Sequence, residues 1–224
     1  MSVLGALLRK ELRLELRTLE SVPGMALFSV TTFVVFHFGL NTPTVDGDLA
    51  AGILVVTLLF AGMLGLNRLY VTDEEQGGFD GFLLAPVDRT WLFVAKAIAL
   101  FAYLVVLEIV MVPAFTLLLL GPSLDLGEIG PLIGVLALAD AGFAIIAGLV
   151  GAIAVRTRAR DLIGPLIALP LLVPVVISAS HGLEPLLSEG SHGGPAAKWL
   201  AILALYDLVF GLLAVAVFDP LLED

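Results

Sequence analysis

The sequence contains no cysteine, only three histidines, and only eleven lysines and arginines among its 224 residues. Without cysteine there is no disulfide bond, no thiolate zinc site and no covalent haem attachment through a C-x-x-C-H motif. The few basic residues do not cluster into the face that nucleic acid requires, so no nucleic-acid partner is expected. No lysine follows a glycine, which excludes the phosphate-binding loop of nucleotide hydrolases. The sequence therefore predicts a non-catalytic chain, and any ATP hydrolysis is expected in another subunit.

Charged side chains are also scarce, at 14% of the residues, whereas 59% are hydrophobic and the mean hydropathy is +1.08. So little polar surface cannot cover a soluble protein of 224 residues, and lipid must be the solvent. Apolar runs of roughly 20 residues select helices over a closed barrel, because a helix satisfies its own backbone in hydrocarbon. The sequence predicts an all-α membrane protein that forms one domain, residues 1–224. Its six predicted transmembrane helices cover residues 22–40, 49–69, 91–120, 129–155, 162–180 and 199–218.

Basic residues fall almost entirely on one side of these spans, although the formal net charge is -10. Ten of the eleven precede span one, lie between spans two and three, or follow span four: Arg9, Lys10, Arg13, Arg17, Arg68, Arg89, Lys96, Arg156, Arg158 and Arg160. Only Lys198 lies on the other side. Because short translocated loops are depleted of lysine and arginine, this distribution predicts that both termini are cytoplasmic.

A leucine-rich face characterises the N-terminal segment, residues 1–21. This face holds Leu4, Leu7, Leu8, Leu12, Leu16 and Leu19, with Arg9, Arg13, Arg17 and Glu20 opposite. The spacing predicts an amphipathic helix that lies in the membrane interface, with its leucines in contact with lipid. The alternative is a solvated helix packed on the protein's own cytoplasmic face. Pro23 and Gly24 are predicted to separate this N-terminal helix from span one. Lys96, near the inner end of span three, is predicted to extend its ammonium group to the membrane interface.

Prolines predict the shape of span five, and small residues predict where spans two and four pack. Span five contains Pro165, Pro170 and Pro174, which together predict a kink or a locally unwound turn. The outer loop after it is predicted to hold a short interfacial piece at residues 183–187.

Small residues four apart predict that spans two and four lie in helix interfaces, because they allow backbones to approach closely. These pairs are Ala61 with Gly65, Ala144 with Gly148, Ala147 with Gly151, and Gly148 with Ala152.

Three carboxylates, Glu108, Asp140 and Asp207, fall well inside spans three, four and six. A carboxylate near the bilayer centre costs about 2.5 to 3.5 kcal/mol on insertion scales, so such residues usually face a bundle interior or a cavity. They are interpreted either as the polar lining of a path or subunit contact, or as protonated carboxyls bonded to a neighbouring helix. No histidine or cysteine beside them completes a ligand set, so no metal site is expected.

The three histidines, His37, His181 and His192, lie near the outer ends of the spans or in the outer loop. Histidine is the usual axial ligand of haem, so each is a candidate for axial ligation. The alternative for each is a capping or solvated role.

The segment between Arg68 and Lys96 is an inner loop with an acidic turn, two glycines, a short apolar helix and a proline stop. It is interpreted either as a simple loop or as a rigid knob that receives force from a soluble partner. Its pattern, acid-x-x-x-Gly-x-hydrophobic-acid-x-hydrophobic-Leu-Leu-x-Pro, resembles the coupling segment of ABC-2 type transporter permeases. The matching residues are Asp73, Gly77, Phe79, Asp80, Phe82, Leu83, Leu84 and Pro86.

Within that superfamily the whole chain resembles the CcmB family, the permease component of the haem exporter in bacterial cytochrome c maturation. The resemblance includes the amphipathic opening K-E-L-R-L-E-L-R at residues 10–17 and the six spans without a fused ATPase. It also includes the prolines of span five after the basic loop. Asp80 stands where the family pattern is expected to have glutamate, so the charge is kept on a shorter side chain.

The resemblance implies an ABC-2 type permease fold in a bacterial-type cytoplasmic (inner) membrane. It implies a separate ABC ATPase that binds ATP and docks at residues 73–89, and a haem-handling membrane subunit, with haem as cargo of the complex. Membrane lipid and a second copy of the chain are further expected partners. The competing hypotheses are a general ABC-2 exporter for lipid, drug or glycan, and a membrane scaffold without a transport cycle.

Overall fold

The computed structural model describes residues 3–40, 42–69, 89–120, 127–155, 160–188 and 194–221. These residues form helices joined by short turns, with no strand among them. The helices are α1 (Val3–Thr18), α2 (Ser21–Gly39), α3 (Gly47–Leu69), α4 (Thr90–Phe115), α5 (Ile129–Val155), α6 (Arg160–Leu183) and α7 (Ala197–Leu221). Six helical stretches in the described part of the chain are long and apolar enough to cross a membrane, and α1 precedes them. The prediction of an all-α multi-pass membrane protein is confirmed.

The observed spans follow the predicted ones closely. Helix α5 has the predicted bounds, and α4 continues into a π-helical turn, Thr116–Leu120, where span three was expected to end. Helices α6 and α7 begin two residues earlier than predicted. A 3-10 turn, Glu184–Leu186, lies within residues 183–187, and the interfacial location of that piece stays a prediction. The division into a single domain stays a prediction.

The break between α1 and α2 comes earlier than predicted. Leu19 adopts a positive φ of 49°, and α2 then begins at Ser21, so the chain turns at Leu19 and Glu20. The prediction that Pro23 and Gly24 make the break is wrong. Proline is tolerated in the first turn of a helix because its missing N–H would have no partner within the helix there.

Helix α6 is continuous through Pro165, Pro170 and Pro174, so no unwound turn interrupts it. Proline removes a backbone donor, and a neighbouring helix can then satisfy nearby carbonyl groups. Tyr206 of α7 donates its hydroxyl hydrogen to the carbonyl oxygen of Leu171, three residues before Pro174. The local unwinding is therefore absent, and the predicted kink stays a prediction.

Helices α3 and α5 occupy the centre of the bundle. In their most apolar windows 67% of the residues are buried, against 17% in α2 and α7. A Cβ atom added at Gly65 would lie 2.8 Å from Leu100 Cδ1, and one added at Gly148 would lie 2.9 Å from Phe93 Cε2. Spans two and four thus lie in helix interfaces where glycine permits close packing, as the small-residue pairs predicted.

Candidate functional site

The predicted coupling motif lies outside the described residues. Its members all fall within residues 70–88: Asp73, Gly77, Phe79, Asp80, Phe82, Leu83, Leu84 and Pro86. The structure does describe the two helix ends on either side of this segment in the chain, Leu69 at the end of α3 and Thr90 at the start of α4.

Lys96 lies at the base of this segment and is 1% exposed. Its Nζ donates to Glu11 Oε2 at 2.9 Å and to the carbonyl oxygen of Leu69 at 2.6 Å. The prediction that this ammonium group reaches out to the interface is wrong. A carboxylate from α1 and the carbonyl end of α3 are both within the reach of its stem, so the charge is satisfied inside the protein.

Helix α1 is held by further contacts to the rest of the chain. The Tyr103 hydroxyl donates to the carbonyl oxygen of Glu11 at 3.1 Å. The Glu15 carboxylate accepts hydrogen bonds from the backbone N–H groups of Ser21 and Val22, at 3.0 and 2.9 Å, and so caps the start of α2. Helix α1 is therefore tied to α2 at its end and to α4 near its middle.

The side of α1 that faces the protein carries two carboxylates. Glu11 and Glu15 are buried, whereas Leu16 is 72% exposed. Sequence reasoning missed both glutamates, although their spacing of four residues within the leucine-rich segment puts them on one helical face. The location of α1 at the membrane interface stays a prediction.

Two of the three intramembrane carboxyls meet. The side chains of Glu108 on α4 and Asp140 on α5 lie close to each other. Apart from this contact, Glu108 Oε1 and both Asp140 oxygens have no hydrogen-bond donor among the described residues. Because two carboxyl groups can share a hydrogen bond only when one carries a proton, the pair is a place where a proton can be held within the bundle.

Asp207 approaches α5 from another side. A Cβ atom added at Gly142 would lie 2.6 Å from Asp207 Oδ1, so this glycine makes room for the carboxyl group. Gly142 and Asp140 are two residues apart on α5, and residues at this spacing point in nearly opposite directions. Asp207, which lies beside Gly142, is therefore apart from Glu108, which lies beside Asp140. The structure therefore unites Glu108 with Asp140 and leaves Asp207 apart.

A cavity of about 670 Å³ lies between α4 and α5 beside Glu108. Its walls are mostly apolar and include Pro113, Thr116, Ile129 and Leu136. Pro113 lacks a backbone donor within α4, and the π-helical turn begins three residues later at Thr116. The sequence predictions did not include this proline. Glu108 thus borders both a carboxyl partner and an apolar cavity.

The described histidines contact protein groups at the ends of the spans. The Nδ1 atom of His37 is hydrogen-bonded to the carbonyl oxygen of Leu118. The ring of His181 stacks on Trp199 at a centroid distance of 4.6 Å, and its Nδ1 lies 3.4 Å from Glu184 Oε2. His192 falls outside the described residues.

One group at these span ends has the donor types of a metal site. Ligand atoms of Asp48, His181 and Glu184 lie within 4.8 Å of one another. All three residues are at least partly exposed, and exposed acidic groups are common without a metal ion. The expectation that the chain holds no metal stays a prediction, and the two interpretations of the histidines both stay open.

Comparison with known proteins gives matches along nearly the whole chain. The family model described as CcmB protein matches residues 2–220. The chain is 28% identical over 218 residues to Heme exporter protein B of Bradyrhizobium diazoefficiens, covering 96% of each chain. It is 32% identical over 203 residues to Heme exporter protein B of Rhodobacter capsulatus, covering 89% of this chain and 88% of the relative. It is 26% identical over 216 residues to the protein of the same name from Pseudomonas aeruginosa.

Proposed function

The chain belongs to the CcmB protein family, and from this premise we propose that it is the transmembrane permease subunit of a haem export system for cytochrome c maturation. The match over residues 2–220 is the observation that carries the proposal. Relatives that are aligned over most of their length are named Heme exporter protein B. The six apolar helices supply the multi-pass membrane domain that such a permease requires.

The energy source in this proposal is a separate ABC ATPase. The sequence carries no glycine-lysine phosphate-binding loop, so ATP binds to the partner subunit. The ATPase docks at residues 73–89, where Asp80 supplies charge. Glycine permits backbone angles that other residues oppose and proline disfavours helix in the residue before it, which is the reason for including Gly77 and Pro86 in the proposed docking segment. Both termini and this segment face the cytoplasm, in keeping with the ten-to-one distribution of lysine and arginine.

The chain itself acts in this proposal as a mechanical coupler. A haem-handling membrane subunit supplies haem, and the conformational change driven by ATP hydrolysis releases the haem-loaded chaperone outside the cytoplasmic membrane. Glu108 and Asp140 form a polar contact between α4 and α5, and the neighbouring cavity gives these helices apolar space in which to repack. A second copy of the chain is the further partner in the membrane.

Affinity purification from membranes tests this function. The tagged chain is extracted in mild detergent, and the co-purifying chains are identified. We expect an ABC ATPase and a haem-handling membrane protein, and reduced ATPase recovery with Gly77→Val. Asp46→Lys, in the exposed outer turn, is the matched control and should leave ATPase recovery unchanged.

The other outcomes separate the competing functions. Recovery of an ATPase without a haem-handling subunit would favour a general ABC-2 exporter. Recovery of neither protein would contradict the proposal and favour a membrane scaffold.

A further inference from the structure

Lys96 is the residue at which three parts of the chain meet. It lies on α4, its first partner Glu11 lies on α1, and its second partner is the carbonyl oxygen of Leu69 at the end of α3. Leu69 directly precedes residues 70–88, and α4 begins soon after them. A single ammonium group therefore bridges the helix before this segment, the helix after it, and the N-terminal helix.

The burial of this group makes the contact hard to exchange for another. An ammonium group removed from water is unfavourable unless it is paired and hydrogen-bonded. Its partners suit it, because Glu11 carries the opposite charge and the carbonyl end of a helix carries partial negative charge. If Glu11 moved away alone, the buried ammonium group would lose its counter-ion, and if the Leu69 carbonyl moved away alone, it would lose a hydrogen bond. Both losses are unfavourable, which favours movement of the three helices together.

The neighbouring contacts show why Lys96 is the main polar connection between α1, α3 and α4. Tyr103 lies seven residues further along α4, two turns away on the same face, and its hydroxyl also holds Glu11, through the backbone carbonyl oxygen. Two further ion pairs lie in this region. Lys10 Nζ lies 3.5 Å from Glu11 Oε1, with the Lys10 side chain 45% exposed. Arg68 and Glu20 are 3.1 Å apart, with side chains 52% and 66% exposed. Exposed ion pairs contribute little, and neither pair includes the Leu69 carbonyl, so neither replaces the contacts of Lys96.

We propose that Lys96 is a positioning residue that links the end of α3 to α1 and α4 through its bonds to Leu69 and Glu11. The proposal rests on the proposed function, in which an ATPase docks at residues 73–89, close to Leu69 in the chain. Removal of the ammonium group then breaks the connection between the end of α3 and helices α1 and α4. The ATPase still binds and hydrolyses ATP, but its stroke no longer rearranges the helices.

The test uses the complete complex. Cells and purified complexes carry Lys96→Met, which keeps an apolar stem but removes the charge, or Glu11→Gln, which keeps Lys96 bound to the Leu69 carbonyl. Membrane abundance, ATP hydrolysis by the complex in liposomes, and holocytochrome c in cells are measured together. Arg68→Gln is the control, because it removes an exposed ion pair between α3 and the turn that joins α1 to α2.

We expect Lys96→Met to keep its abundance and ATP hydrolysis while holocytochrome c falls at least about fivefold, the low end of the range for coupling between sites. The double variant with Glu11→Gln should be no worse than Lys96→Met, because both changes remove one interaction. Arg68→Gln should resemble the wild type. If Lys96→Met does not accumulate, Glu11→Gln should show the same loss of holocytochrome at unchanged hydrolysis.

Contrary results separate this inference from the proposed function. Normal holocytochrome in both single variants would overturn the role of Lys96 and leave the proposed function standing. A parallel fall in abundance, hydrolysis and holocytochrome in both would overturn it too, because Lys96 would then serve stability alone. Absence of ATP-dependent maturation in the wild type would overturn both.

Discussion

Gly148 lies where α5 packs closely on α4, and its replacement by alanine gives a quantitative test of the helix packing. The added methyl carbon would lie 2.9 Å from Cε2 and 3.1 Å from Cδ2 of Phe93. Both distances are short of the roughly 3.5 to 4.0 Å at which carbon atoms attract each other best. The Phe93 ring cannot simply turn away, because it packs on Phe218 at a centroid distance of 5.3 Å.

The magnitude follows from two opposing effects. Overpacking of a closely packed interior costs about 1 to 3 kcal/mol. Alanine also favours a helix over glycine by about 0.8 to 1.0 kcal/mol, which partly offsets the clash. Gly134→Ala on the same helix is the matched control, because a Cβ atom there meets nothing within 4 Å. The helix-propensity gain is common to both changes, so the difference in unfolding free energy between them is about 1 to 3 kcal/mol.

The assay is the melting temperature of each purified variant in detergent, followed by size-exclusion chromatography after heating. For a chain of this size 1 kcal/mol corresponds to roughly 2 to 4 °C. We therefore expect Gly148→Ala to melt roughly 2 to 12 °C below Gly134→Ala. Equal melting temperatures, or a lower value for Gly134→Ala, would refute the close contact between α4 and α5.

Three further predictions concern topology, the N-terminal helix and the histidines. A cysteine at Asp46 should react with a membrane-impermeant maleimide in intact cells and one at Asp80 should not, and the reverse labelling would contradict cytoplasmic termini. Leu16→Asp should impair assembly if α1 lies in the interface, whereas Arg13→Gln should be milder because a basic residue near anionic lipid contributes only about 1 kcal/mol. Equal tolerance of both changes would favour a solvated helix. Single alanine variants of the three histidines should each retain cytochrome c maturation, and loss of holocytochrome c would instead point to haem ligation.

The spans were predictable because each depends on local composition. A helix needs about 20 consecutive apolar residues to cross the hydrocarbon core. Such a run can be recognised in the sequence without knowledge of the tertiary structure. Helix α5 illustrates this, since its observed bounds are the predicted ones. The packing role of Gly65 and Gly148 was predictable for a similar reason, because residues four apart share a face on any helix.

The polar contacts were not predictable in the same way. Lys96 pairs with a glutamate 85 residues away, and its position near a helix end gave no indication of that partner. Glu108, Asp140 and Asp207 looked alike in sequence, yet only the first two meet, because the rotation of each helix about its axis decides which carboxyls face each other. Such contacts depend on the tertiary arrangement, which residue spacing within one helix does not specify.

Cytochrome c maturation is the activity on which the proposed function depends most directly, and it can be measured in cells of the source organism that lack this chain. Holocytochrome c is quantified by haem staining after complementation with the wild type, with Asp80→Lys, or with Asp46→Lys as the control on the opposite face. We predict that deletion abolishes holocytochrome c, that the wild type and Asp46→Lys restore it, and that Asp80→Lys inserts normally but does not. Full holocytochrome c in cells without the chain would contradict the proposed function.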